Sequence, residues 1–178
     1  MQSVKLHDKE FSLYFPEEKI IQAIDDLSIK INSDFEGKNP VFLVVLNGAF
    51  MFASDLIKRF NGNCEIEFVR FSSYEGTGSS GNVRELMGLT LDIKNRHIIV
   101  LEDIIDTGLT MMVAKDRLKS LGAASVSLAT LLYKPKAFKH NYYIDYIGIE
   151  IPNDFIVGYG LDYDGLGRNL TDIYKITD

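Results

Sequence analysis

Apolar residues recur along the chain in two alternating patterns, one typical of buried strands and one typical of amphipathic helices. Residues 41–46 form an uninterrupted apolar run, and residues 97–101 are apolar after His97; both are rich in β-branched residues, which fit strands covered on both faces of a parallel sheet. Apolar residues at helical spacing follow Phe15 and recur before Gly122. The alternation predicts an α/β fold with a mostly parallel central sheet flanked by helices.

The same patterns place the individual elements. Strands are predicted at 41–46, 65–71, 97–101, 125–132, 144–151 and 155–159. Helices are predicted with apolar faces formed by Ile20, Ala23, Ile24, Leu27 and Ile31, by Phe50, Ala53, Ile57 and Phe60, and by Met111, Ala114, Leu118 and Leu121. Residues 72–87 are rich in glycine and serine and lack periodicity, so a long loop that is functional or disordered is expected there.

Composition narrows the function classes. The 178 residues suit one domain, and 25 acidic against 19 basic residues give a net charge of −6. This balance argues against a nucleic-acid partner, which requires clustered Lys and Arg, and no apolar run approaches the length of a membrane span. Cys64 is the single cysteine and the N-terminal segment lacks the apolar core of a signal peptide. A reducing, cytoplasmic location is therefore expected.

One stretch at the end of a predicted strand combines acids, hydroxyls and a glycine. Residues 98–110, IIVLEDIIDTGLT, carry the adjacent acids Glu102 and Asp103, a third acid at Asp106 and a short loop before a helix. A helix N-terminus attracts anions, and three carboxylates beside a phosphate require ribose hydroxyls or a divalent cation between them. The stretch predicts a phosphorylated sugar bound with Mg²⁺. A strand-to-helix turn capped by Asp106 or Thr107 is the alternative.

This stretch resembles the 5-phosphoribosyl-1-pyrophosphate (PRPP) signature of type I phosphoribosyltransferases. Further similarities follow in the family's order. Residues 46–49, LNGA, resemble the first pyrophosphate loop, in which a non-proline cis peptide often precedes the second residue; Ser73 and Tyr74 resemble the start of the mobile catalytic loop; Lys134 matches the lysine that contacts the purine. Residues 155–163, FIVGYGLDY, with Arg168 and Leu170 beyond them, resemble the C-terminal segment of hypoxanthine-guanine phosphoribosyltransferases.

The resemblance implies an enzyme of purine salvage. Such an enzyme transfers the 5-phosphoribosyl group of PRPP to N9 of hypoxanthine or guanine, giving inosine or guanosine 5′-monophosphate (IMP or GMP) and pyrophosphate, with Mg²⁺ as cofactor. It implies one domain over residues 1–178, with a core at about 38–150 and a small hood formed by the N-terminal segment and about 151–178. A homodimer or homotetramer is expected. The alternatives are a regulatory protein that binds PRPP or a nucleotide on the same fold, and an enzyme acting on another base.

Residue roles also follow from the resemblance. Asp106 would assist proton removal at purine N7, and Lys134 would donate to O6 of the base. The ribose and 5′-phosphate would be bound by Glu102, Asp103, Asp106, Thr107, Gly108, Leu109 and Thr110. Pyrophosphate would be bound by Leu46, Asn47, Gly48, Ser73, Tyr74 and Arg168. The purine would also contact Phe155, Ile156 and Asp162, and Mg²⁺ would be held by Glu102, Asp103 and Asp162. The simpler alternatives are a solvated side chain for Lys134, a core aromatic for Phe155 and surface charges for Asp162 and Arg168.

Overall fold

The computed structural model describes residues 3–73 and 83–177, which form two sheets and three helices. In chain order the elements are β1 (Ser3–Leu6), β2 (Lys9–Phe15), α1 (Glu17–Asp34), β3 (Val41–Leu46), α2 (Phe50–Ile57), β4 (Glu65–Ser73), β5 (Val83–Met87), β6 (His97–Ile105), α3 (Leu109–Ser120), β7 (Ser125–Tyr133), β8 (Tyr146–Glu150), β9 (Ile156–Val157) and β10 (Ile173–Thr177).

The central sheet has the strand order β5-β4-β3-β6-β7-β8. The five strands from β4 to β8 in this order are parallel, and β5 pairs antiparallel at the edge. The predicted α/β architecture is therefore confirmed. β3 and β6 are neighbours in the middle of the sheet, with Val44 opposite Leu101. Their carboxyl ends lie together at the edge where open α/β sheets bind ligands.

Helices cover both faces of this sheet because alternate residues of its strands are apolar on both sides. Phe42 and Val44 of β3 pack in the cluster that contains α1 and α2. Leu43 of the same strand packs in the cluster that contains Met111 of α3. In α1 the predicted face is buried at Ile20, Ile24, Leu27 and Ile31. Among the described residues, no helix is both long enough and apolar enough to span a membrane.

A second sheet, the hood, is built from both terminal regions of the chain in the order β1-β2-β10-β9. Its strands pair antiparallel, and its small core contains Phe11, Val157 and Tyr174. The predicted hood is confirmed, although no strands were predicted for its N-terminal part. Only Ile156–Val157 of the predicted 155–159 strand forms β9. Short segments that mix charged and apolar residues carry a weak strand signal, and pairing with a neighbouring strand determines whether they form strands.

The predicted face of α2 is wrong. Its buried residues are Phe52, Ala53 and Leu56, whereas Phe50 is 43% exposed. The sequence of this helix, FMFASDLI, is apolar on most of its circumference. Its periodicity therefore cannot select one face, and packing on the central sheet makes the choice.

The predicted loop at 72–87 is also wrong at both ends. β4 continues to Ser73, and Val83–Met87 forms β5, which pairs antiparallel with β4. Hydrogen bonding between the two strands holds these residues in an extended conformation, although their own sequence shows little periodicity. Residues 74–82 lie outside the described part of the chain.

Candidate active site

A cavity of about 340 Å³ opens at the carboxyl ends of β3 and β6. The loop after β3, the end of β6, the start of α3 and the hood all contribute to its wall. Of the predicted site residues, it is lined by Leu46, Gly48, Glu102, Asp103, Asp106, Thr107, Gly108, Leu109, Thr110, Asp162 and Arg168. The fold thus brings residues from three separate segments of the sequence around one space.

The remaining predicted residues lie outside this lining. Phe155 is 46% exposed in the hood, and its ring meets that of Tyr163 edge-on at 5.9 Å. Ile156 is buried in β9. Asn47 follows Leu46 in the loop after β3, Ser73 ends β4, and Lys134 lies just past β7. Tyr74 lies outside the described residues.

Two glycines allow the loop after β3 to pack closely on its surroundings. A Cβ on Gly48 would lie 1.6 Å from Oδ2 of Asp103, so this position accepts only glycine while the carboxylate stays in place. A Cβ on Gly160, whose φ is +99°, would lie 2.0 Å from the carbonyl oxygen of Gly48. The peptide bond between Leu46 and Asn47 is cis, as the resemblance implies. These contacts join the loop to β6 on one side and to the hood on the other.

Glu102 and Asp103 are adjacent residues near the C-terminal end of β6, and each carries a carboxyl group. Asp103 is 8% exposed, and its Oδ1 accepts a hydrogen bond of 2.9 Å from the Ile104 amide. Burial, reinforced by the charge of Asp103, raises the pKa of Glu102 well above 4.5. Burial also raises the pKa of Asp103. A nearby cation, or donors such as ribose hydroxyls, would favour the charged form of both groups.

The hood contributes an ion pair to the cavity wall. Arg168 Nη2 lies 2.7 Å from Oδ1 of Asp162, and Arg168 Nη1 donates to the Gly160 carbonyl at 2.7 Å. Oδ2 of Asp162 accepts from the Gly165 amide at 2.7 Å. Asp162 and Arg168 are therefore fixed to one another beside the Gly48 contact, and neither is an isolated surface charge.

Asp106 and Lys134 meet at the rim of the cavity. Nζ of Lys134 lies 3.2 Å from Oδ2 of Asp106, and the Lys134 amide donates to the Ile105 carbonyl at 3.0 Å. The solvated alternative for Lys134 is wrong, because its side chain is 11% exposed. The capping alternative for Asp106 and Thr107 is also wrong. The N-cap of α3 is Gly108, at a φ of +87°, and no side chain caps the helix.

Sequence inspection missed the residues that lie beneath the loop before α3. Tyr142 donates from its hydroxyl to the Gly108 carbonyl at 2.6 Å, and the Phe138 ring lies where a Cβ on Gly108 would be, at 2.4 Å. The Lys139 amide donates to the Thr107 carbonyl at 3.1 Å. These residues follow β7 in a segment without periodicity, so the sequence carried no signal of the contact beyond a cluster of aromatic residues.

Comparison with known proteins decides the family. The pattern of the phosphoribosyl transferase domain matches residues 13–164. The chain belongs to the phosphoribosyltransferase family. A hypoxanthine-guanine phosphoribosyltransferase from Streptococcus thermophilus (strain CNRZ 1066) is 42% identical over 159 residues, which cover 89% of this chain and 88% of the relative. This phosphoribosyltransferase therefore belongs to the hypoxanthine-guanine branch, as the sequence motifs predicted.

Solved structures agree with this assignment. A hypoxanthine phosphoribosyltransferase from Staphylococcus aureus superimposes with a TM-score of 0.89 at 38% identity, covering 93% of this chain and 91% of its own. A mutant hypoxanthine phosphoribosyltransferase from Trypanosoma cruzi, solved as a ternary substrates complex, gives a TM-score of 0.87 at 37% identity and covers 97% of both chains. The type I phosphoribosyltransferase fold is confirmed, and the regulatory alternative is not favoured because these relatives are transferases.

The carboxylates of the cavity fit Mg²⁺ only together with a substrate. In the part of the chain that the structure describes, no group of three or more His, Cys, Asp and Glu side chains could hold a metal ion alone. Mg²⁺ is commonly bound through one or two carboxylates, with substrate oxygens and water completing its shell. Glu102, Asp103 and Asp162 supply such carboxylates around one cavity.

Proposed function

We propose that this phosphoribosyltransferase transfers the 5-phosphoribosyl group of PRPP to N9 of hypoxanthine or guanine, releasing pyrophosphate and giving IMP or GMP. The observation that carries the proposal is the Asp106–Lys134 pair beside a cavity that ends at an uncapped helix N-terminus. A 6-oxopurine that carries its proton on N7 offers an acceptor at O6 to Lys134 and a donor at N7 to Asp106. Adenine instead carries an amino donor at position 6, which a lysine would repel.

The 5′-phosphate would be bound by the loop from Thr107 to Thr110. The first N–H groups of an α-helix have no acceptor within the helix, and its dipole favours an anion there. Gly108 lets the backbone turn into α3 at positive φ. The hydroxyls of Thr107 and Thr110, together with the backbone at Leu109, would complete the set of donors.

The ribose would lie on Glu102 and Asp103, whose oxygens accept hydrogen bonds from its vicinal hydroxyls. Together with Asp162, these carboxylates would hold Mg²⁺. When bound, Mg²⁺ supplies positive charge that offsets the charge of the departing pyrophosphate. The raised pKa of Glu102 fits this role, because the residue is costly to ionise until a donor or cation arrives.

The pyrophosphate group would lie against the loop of Leu46, Asn47 and Gly48, where no side chain intervenes at Gly48. Arg168 would pair with it from the hood. The roles proposed for Ser73 and Tyr74 rest on the resemblance alone.

The base would lie between the hood and the Asp106–Lys134 pair. Lys134 would donate to O6, Phe155 would stack on the ring, and the backbone of Ile156 together with Asp162 would contact its edge. Asp106 would accept the proton that leaves the purine as N9 attacks C1 of the ribose. The sugar passes through an oxocarbenium-like state, so the enzyme accelerates the reaction by positioning the base and stabilising the leaving group.

The proposal is tested by incubating the protein with PRPP, Mg²⁺ and one base at a time, with nucleotide formation followed by ultraviolet absorbance. We expect turnover with hypoxanthine or guanine and none with adenine, while chelation with EDTA stops the reaction. Absence of turnover with both hypoxanthine and guanine overturns the proposal. The homodimer or homotetramer stays a prediction, and light scattering on the purified protein tests it. The single-domain boundaries and the cytoplasmic location also stay predictions.

A further inference from the structure

The loop expected to bind the 5′-phosphate is held from behind by the segment that follows β7. Both carbonyl groups that precede α3 are engaged by donors from this segment. The Lys139 amide donates to the Thr107 carbonyl at 3.1 Å, and the Tyr142 hydroxyl donates to the Gly108 carbonyl at 2.6 Å. The Gly108 carbonyl also accepts the first helical bond of α3, from Met112 at 3.1 Å.

These bonds fix the direction of the peptide groups. A carbonyl that is turned away from the cavity leaves the amide of the same peptide group turned towards it, because the peptide unit is planar and trans. No side chain caps α3. The orientation of the loop amides therefore depends on what holds the carbonyls, and Tyr142 supplies the one side-chain donor that the structure describes on the Gly108 carbonyl.

Tyr142 is itself held in place by packing. Its ring packs edge-on against the Phe138 ring, with 5.0 Å between the ring centres, and the Phe138 ring packs edge-on against the Tyr133 ring, with 5.5 Å between the centres. Nζ of Lys115 in α3 lies 5.9 Å from the Tyr142 ring centre. A Cβ on Gly108 would come within 2.7 Å of the Tyr142 hydroxyl. The Tyr142 hydroxyl group therefore lies in direct contact with the loop and has little room to move.

We propose that Tyr142 is a positioning residue that sets the loop from Thr107 to Thr110 for the 5′-phosphate. It touches no substrate, and it acts through the Gly108 carbonyl. The inference rests on the proposed function, because it assigns the phosphate to that loop. The same segment begins at Lys134, whose carbonyl accepts from the Ala137 and Phe138 amides, so one short segment supports both the purine and phosphate subsites.

The test is Tyr142→Phe, which removes the hydroxyl and keeps the ring. Tyr143→Phe is the matched control, because Tyr143 is the next residue and is 74% exposed. We expect Tyr142→Phe to raise KM for PRPP and Kd for IMP by roughly 3- to 10-fold, the effect of one neutral hydrogen bond. The Kd for pyrophosphate, the KM for hypoxanthine and kcat should stay close to those of the unsubstituted enzyme and of Tyr143→Phe.

Two results would overturn the inference. One is an unchanged KM for PRPP and Kd for IMP in Tyr142→Phe. The other is an equal weakening of IMP and pyrophosphate together with a lower Tm, which would make Tyr142 a support of the fold only. Failure of the unsubstituted enzyme to turn over hypoxanthine or guanine would count against the proposed function instead, so the two failures are distinguishable.

Discussion

Lys134 and Asp106 form an ion pair in which Nζ lies 3.2 Å from Oδ2. The lysine side chain is 11% exposed and the aspartate side chain 46% exposed, so the carboxylate is open to the cavity while the amine is enclosed. The pair joins the group proposed to take a proton from the purine to the group proposed to recognise O6. Separate substitutions of the two residues should therefore give separate kinetic defects.

Asp106→Asn should lower kcat by about 10²–10⁴, because the amide cannot accept the purine proton. The KM for PRPP should change little. The Tm should stay close to that of the parent, since the N-cap of α3 is Gly108 and the amide oxygen still accepts from Lys134. Steady-state kinetics and calorimetry check this, with the exposed Asp116→Asn in α3 as control. A fall in Tm that parallels the loss of activity would contradict the proton-transfer role.

Lys134→Met should raise KM for hypoxanthine by roughly 10- to 100-fold, because a hydrogen bond from a charged donor contributes about 1.5–3 kcal/mol. The ratio of kcat/KM for hypoxanthine to that for adenine should fall. The measurement is the transfer rate with each base at saturating PRPP. Lys136→Met, an exposed position in the same segment, is the control and should keep the parent selectivity. Unchanged selectivity in Lys134→Met would remove Lys134 from purine recognition.

Gly48→Ala should lower kcat/KM for PRPP by about 10²-fold, the scale of a displacement of about 1 Å in a positioned site. The new methyl group would lie 1.6 Å from Asp103 Oδ2, so the loop or the carboxylate has to move. Gly62→Ala is the control. Its methyl group meets only the edge of the Phe60 ring, at 3.1 Å. Parent-like kinetics in Gly48→Ala would show that the loop is free to shift without affecting PRPP.

Asp55→Asn should destabilise the protein in a pH-dependent way. Asp55 in α2 accepts hydrogen bonds from Lys58, at 2.7 Å, and from Tyr159 of the hood. Burial alone would raise the pKa of Asp55, but these bonds outweigh it and hold the pKa below 3.8. A depressed carboxyl pKa stabilises the fold above the unfolded pKa, and this contribution is lost as pH falls through the folded pKa.

The expected loss in Asp55→Asn is about 1–2 kcal/mol of unfolding free energy at pH 7. The difference between variant and parent should shrink as the pH falls below about 4. Urea denaturation at pH 7 and pH 3 measures it, and Asp116→Asn should show no such trend. An equal difference at both pH values would mean that the charge of Asp55 contributes nothing.

The sequence predicted the parts of the fold whose own residues determine them. Residues 41–46 and 98–101 are apolar on both faces, which predicts buried strands. Three of the four residues predicted for the face of α3 are buried, Met111, Ala114 and Leu118, whereas Leu121 follows the helix and is 38% exposed. The face of α2 and the strands β1, β2, β5 and β10 were missed because partner elements decide them. The site showed the same division. Motifs along the chain identified Glu102, Asp103 and Asp106, whereas the contact of Tyr142 with Gly108 joins residues 34 positions apart.

The backbone contact between Gly160 and Gly48 leaves no space for a side chain between the hood and the loop after β3. The loop is the proposed seat of pyrophosphate, and the hood carries Phe155 and Ile156, the proposed partners of the base. A shift of either surface is therefore transmitted to the other. Coupling carried by this contact would be reciprocal, so PRPP would change the affinity for the purine by the same factor as the purine changes the affinity for PRPP. The proposed pyrophosphate and purine subsites thus meet at a contact between two residues that have no side chains.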